Sequence, residues 1–66
     1  GLVRLTVEDI AGRLVTTLLD RPLDPGLHAV DWNGIGAAGL PVASGRYLYT
    51  LQTPGGIERR SMIVLK

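Results

Sequence analysis

The sequence predicts a small antiparallel all-β sandwich of about five strands, and three features carry that reading. Apolar and polar residues alternate in several short runs, clusters of Gly, Pro, Asn and Asp separate those runs, and no stretch places apolar residues at helical spacing. In Leu2 to Glu8, Val3, Leu5 and Val7 alternate with Arg4, Thr6 and Glu8, the pattern of a half-buried strand. Asp9-Ile10-Ala11-Gly12 reads as a turn, with Asp9 capping its own backbone and Gly12 supplying the positive φ of a short bulged hairpin. Arg13 to Leu19 then returns antiparallel, with β-branched Thr16 and Thr17 favoured in a strand.

Asp20 to Gly26 holds two prolines and a glycine and reads as an irregular crossover from one sheet to the other. Leu27 to Trp32 is expected as the third strand, with Val30 and Trp32 inward and His28 on the same side near the rim. The three glycines in Asn33 to Pro41 suggest a surface excursion and not a tight hairpin. Arg46 to Gln52 puts Tyr47, Tyr49 and Leu51 on one face and Leu48 and Thr50 on the other. Thr53-Pro54-Gly55-Gly56 predicts a hairpin turn, Pro presetting φ and Gly accepting a positive one. The last strand runs from Ile57 to Leu65, and its two-sided apolar end, Met62 to Leu65, is expected to be central or covered on both faces.

Length and charge narrow the function classes. Sixty-six residues make one domain, 1–66, with a minimal core, and zero Cys excludes a disulfide framework, a thiolate nucleophile and a Cys-based metal site. Seven basic against six acidic residues give a net charge of +1, spread along the chain, which argues against a nucleic-acid partner because phosphate binding needs a concentrated basic face. No apolar run reaches the roughly 20 residues of a membrane span. Gly1 opens directly into a strand pattern without initiator Met or signal segment, so a processed fragment or excised domain is expected.

Residue groups that invite chemical readings fail on geometry. Gly34-Ile35-Gly36-Ala37-Ala38-Gly39 matches the spacing of a dinucleotide fingerprint, but Pro41 and Gly45 prevent the helix whose N-terminus would hold pyrophosphate. Asp31-x-Asn33 begins like a calcium loop, yet Ile35 and Val42 occupy positions that need carboxylates, so an Asx turn is expected and no metal. His28, Asp31 and Ser44 or Ser61 do not make a triad, because residues three apart in a strand face opposite ways. Glu8 and Asp9 lack a third group to split their pKa values. Trp32 is expected in the core or half-core, and Tyr47 and Tyr49 packed with hydroxyls at the surface. Arg59 and Arg60 alternate faces, so at most one of them joins Arg46 across the hairpin. No catalytic residue, cofactor site or metal site is assigned.

Four motifs in order, Gly12-Arg13-Leu14-Val15, Gly26 through Gly34, Gly39 through Tyr47, and a closing strand that ends in a basic residue, give the chain a family resemblance. It resembles the immunoglobulin-like domain of flagellar hook-capping proteins, the FlgD type, and the related C-terminal sorting β-sandwiches of secreted bacterial proteins. The positions that carry the likeness are Gly12, Gly26, Val30, Trp32, Asn33, Gly34, Gly39, Gly45 and Tyr47. The resemblance implies an immunoglobulin-like sandwich and a non-catalytic accessory module, extracellular or in the cell envelope, that serves sorting, anchoring or protein–protein assembly. Such domains usually begin with one further N-terminal strand, which this chain starts too late to contain. An unfinished sheet edge is a template for strand addition. Upstream domains of the same protein or neighbouring copies are therefore the expected partners, and a self-assembling extracellular filament is the alternative.

Overall fold

The computed structural model describes residues 1–24 and 29–65. Within them the chain forms four antiparallel strands and no helix: β1, Leu2–Asp9; β2, Leu14–Pro22; β3, Gly45–Thr53; and β4, Gly56–Val64. All four lie in one sheet in the order β2-β1-β3-β4, so the connection from β2 to β3 carries the chain past β1 to its other side.

The first turn closes as its residues dictate. Asp9 Oδ1 accepts hydrogen bonds from the backbone N–H groups of Ala11 and Arg13, both at 2.9 Å, and Oδ2 accepts one from Arg13 Nε at 2.9 Å. Gly12 sits at φ 86°, where a Cβ would be strained. The backbone N–H of Arg13 is the main cause that holds the Asp9 carboxyl below its ordinary range. The second hairpin pairs Thr53 with Gly56 across Pro54-Gly55, and the positive φ of this turn, 143°, falls on Gly56.

Opposed residues in an antiparallel sheet share a face. The register Val7↔Tyr49↔Arg60 and Leu5↔Leu51↔Glu58 therefore groups Val3, Leu5, Val7, Tyr47, Tyr49, Leu51, Met62 and Val64 on one side. Arg4, Thr6, Leu48, Thr50, Gln52 and Arg59 take the other, as the alternation predicts. Along β2 the register shifts twice, skipping Leu18 and Val15. These bulges turn successive leucines, Leu18 and Leu19, to the same apolar side, which a strict period of two would forbid.

Three expectations are corrected here, and a fourth gains detail. Asp20, Arg21 and Pro22 are not crossover but the end of β2, opposite Arg4, Val3 and Leu2. Proline is tolerated there because β2 is an edge strand and needs no donor on its outer side. Four strands stand where about five are expected: Ala29–Trp32 pairs with no described strand, while Leu27 and His28, like Gly26, lie outside the described residues. The apolar end of β4 is neither central nor covered on both sides. It is the other edge, with Met62 and Val64 half-buried on one face and Ile63 57% exposed on the other. Finally, residues 33–42 fold back on themselves. Ile35 bridges Pro41, Val42 N–H donates to Gly34 O at 2.9 Å, and Gly36 to Gly39 makes the turn, so the surface excursion expected here is a small tongue, exposed from Ala37 to Pro41.

Candidate docking groove

The tongue covers one end of the apolar face and leaves the other open. Trp32 enters over β3, its indole N–H donating to Ile35 O at 3.0 Å and its ring meeting Tyr47 edge-on, with centroids 5.7 Å apart at 72°. Tyr47 in turn donates its hydroxyl to Ala43 O at 2.7 Å, a tyrosine near the start of a strand tying back to the chain four residues upstream. That arrangement is the tyrosine corner of immunoglobulin-like sandwiches. Asn33 Oδ1 accepts from Ile35 N–H at 3.1 Å, the Asx turn expected of it, whereas Asp31 is exposed. At the far end of the tongue, Ala37 N–H donates to Val15 O at 3.0 Å, so the residue displaced by the second β2 bulge fastens the tongue to the sheet.

Under this cover Val7 is fully buried and Tyr47 is 8% exposed, and they are the only apolar core residues among those described. Beside it, the same face forms the floor of a cavity of about 1210 Å³, lined by Val3, Leu5, Leu19 and Leu51 and by Val30 and Trp32. Among the described lining residues the charged groups are Asp24, Glu58, Arg60 and the terminal ammonium of Gly1. Arg60 pairs with Glu58 at 3.4 Å while Arg59, on the opposite face, donates to Thr50 Oγ1 at 3.1 Å. Neither arginine meets Arg46, which stands opposite Ile63.

The positions singled out from sequence are scaffolding in this geometry. Gly12, Gly34, Gly39 and Gly45 all have positive φ, Gly34 buried under the Val42 contact, and Trp32, Asn33 and Tyr47 join the tongue to the sheet. Val30 stands 41% exposed at the groove wall instead of in a strand. The glycine cluster leads into a turn and a strand, with no helix to receive a pyrophosphate. His28 lies outside the described residues, and Ser61 is exposed on the outer face of β4. Sequence reasoning missed the groove itself. Its signal was present in the apolar parity shared by β1, β3 and the end of β4.

Among the described residues no helix is long and apolar enough to cross a membrane, and no three His, Cys, Asp or Glu side chains cluster so as to hold a metal ion. Comparison with known proteins found no curated protein and no solved structure that matches the chain. A family model described as the FlgD Ig-like domain matches residues 2–56. The span takes in β1, β2, the tongue, β3 and the second turn, and with the tyrosine corner and the all-β sheet it is decisive: the chain belongs to the FlgD Ig-like domain family.

Proposed function

We propose that residues 1–66 are a single non-catalytic accessory module of a secreted or surface bacterial protein, acting outside the cell or in its envelope in sorting, anchoring or protein–protein assembly. Family membership supports the module, and the half-covered apolar face supports assembly as its work. A soluble domain that leaves Val3, Leu5 and Leu51 under an open groove carries a surface suited to another polypeptide. Among the described residues that line it, the groove brings together no nucleophile, base and oxyanion donor.

Urea unfolding of the isolated chain at several concentrations, followed by circular dichroism and by fluorescence of an apolar-surface dye, tests this reading. A broad, low-midpoint transition with bright dye fluorescence is expected. A sharp, concentration-independent transition with a dark dye would overturn it.

A second reading, a self-assembling extracellular filament, draws on a different feature. β4 is an edge strand whose outer face shows Ile57, 67% exposed, and Ile63, so its unpaired backbone offers a template to a neighbouring copy. A head-to-tail contact that does not close would propagate. Electron microscopy of the purified chain separates the two, ordered polymers favouring the filament and dispersed particles the module.

A further inference from the structure

Resting on the accessory-module reading, we propose that the groove takes an extended polypeptide segment with alternating apolar side chains, and that this segment pairs along Ala29–Trp32 to build the second layer of the sandwich. Four observations lead there. First, Ala29–Trp32 has the makings of a strand without a partner. Val30 and Trp32 both turn to the groove, while Ala29, Val30 and Asp31 make no backbone hydrogen bond with any described residue. These backbone groups face solvent in the free chain, and a parallel or antiparallel neighbour that fills the groove takes them from water and pairs them in a row.

Second, the space has the form of one added layer. A cavity of about 1210 Å³ exceeds the roughly 300–1,000 Å³ of small-molecule pockets, and its sheet floor spans Val3 to Val7 of β1 and Tyr49 to Thr53 of β3. Third, the exposed area is large for a chain of this mass. The chain exposes 4891 Å², against about 4,100 Å² expected for a folded protein of 7.1 kDa, and the difference of about 800 Å² equals one partner's share of a standard interface. Fourth, the charges among its described lining residues, Asp24, Glu58, Arg60 and the terminal ammonium of Gly1, are of mixed sign, so the groove attracts no strongly charged ligand, and its floor takes uncharged side chains. A second copy is the poorer fit: two concave faces cannot fill one another, whereas a single strand lies between floor and wall.

The test uses the 66-residue chain and a synthetic octapeptide of alternating valine and threonine, flanked by lysines, beside a control of the same length with proline at every second position. Titration is expected to shift Trp32 emission to the blue with saturation, and hydrogen exchange at Ala29 to Trp32 to slow by about tenfold or more, with no response to the proline control. Neighbouring amides of a strand point to opposite edges, so of Val30→Pro and Asp31→Pro one loses about tenfold in affinity, the worth of a backbone hydrogen bond, and the other little. Neither amide is bonded to a described residue and neither lies in β1 to β4, so both variants are expected to keep the four-stranded circular-dichroism spectrum. Saturable binding without protection of Ala29 to Trp32, or unaffected by both prolines, overturns the strand pairing while leaving the accessory module intact. Self-association in sedimentation equilibrium, weakened by Leu51→Asp and with the peptide unbound, overturns it in favour of a second copy.

Discussion

The two ends of the apolar face are built from similar side chains and have different fates. At one end Val7 and Tyr47 lie under Trp32 and the tongue of residues 33–42, out of water. At the other, Val3, Leu5 and Leu51 belong to the same strands and the same face, yet they stay half-exposed in a groove that Val30 and Trp32 wall without filling. Strand propensity and alternation produce the sheet equally at both ends. Burial comes only where a second layer arrives, and that layer is fastened by a few directed bonds: Ala37 to Val15, Trp32 to Ile35 and Tyr47 to Ala43.

The strongest way to break the comparison is to remove the joint at the covered end. Tyr47→Ala deletes the largest side chain in the core and the hydroxyl bond that anchors Ala43, at a cost of about 3–5 kcal/mol by analogy with other aromatic truncations. A chain this short has little more than that in reserve, so the variant is expected to lose its β-sheet circular-dichroism signal at 25 °C. A variant that kept a cooperative urea transition would show that the tongue is held by something other than Tyr47.

A paired truncation sharpens the contrast. Val7→Ala removes fully buried methyl groups and is expected to cost about 1.5–2 kcal/mol, whereas Leu51→Ala, which removes more atoms from the open end, is expected to cost less than about 1 kcal/mol. Chemical denaturation of both variants checks the order. Should Leu51→Ala prove the more damaging, the open end is covered in solution. Addition of a groove-filling segment is expected to reverse the ranking, because Leu51 then becomes core.

Much of this contrast is foreshadowed in the sequence, and the rest is hidden for identifiable reasons. Alternation located β1, β3 and β4 to within about a residue, because each has one apolar face and period 2 is a local property. The turns at Gly12 and at Pro54-Gly55 were legible because their residues have few other conformations. The Ala29–Trp32 segment has the right pattern too, but a strand exists only by pairing, and pairing is not local. Pro22 concealed the end of β2, since proline reads as a breaker unless the strand is known to be an edge. The bulges at Leu18 and Val15 left no local trace, although one of them provides the carbonyl that holds the tongue. The run Met62–Leu65 misled because apolar residues on both faces signal a covered strand only when something is there to cover it.

A smaller effect isolates the tyrosine corner from the packing of its ring. Tyr47→Phe keeps the edge-on contact with Trp32 and removes only the 2.7 Å bond to Ala43 O, leaving that carbonyl unpartnered by the ring. A loss of about 1 kcal/mol in urea unfolding is expected, with faster hydrogen exchange in the tongue than in β1. Uniform acceleration across the sheet would mean that the hydroxyl bond supports the whole core and not the cover alone.

The smallest effect lies at the first turn, where titration of one carboxylate tests whether the covered end depends on the hairpin beside it. Asp9 accepts three bonds, from Ala11 N–H, Arg13 N–H and Arg13 Nε, and these hold its pKa below the ordinary value of about 3.9. Because the folded value is the lower one, the stabilisation is fully present above the unfolded value and disappears as pH falls through the folded one. Unfolding midpoints measured from pH 6 downward are therefore expected to fall below about pH 4, and Asp9→Asn, which keeps an acceptor but cannot titrate, is expected to flatten that part of the profile. Asp9 stands opposite Tyr47 in the β1–β3 register, so protonation loosens the turn directly beside the buried pair. Exchange at Tyr47 that quickens in the same pH window while exchange at Leu51 does not would tie the turn to the covered end, and equal quickening at both would show that the two ends of the face open together.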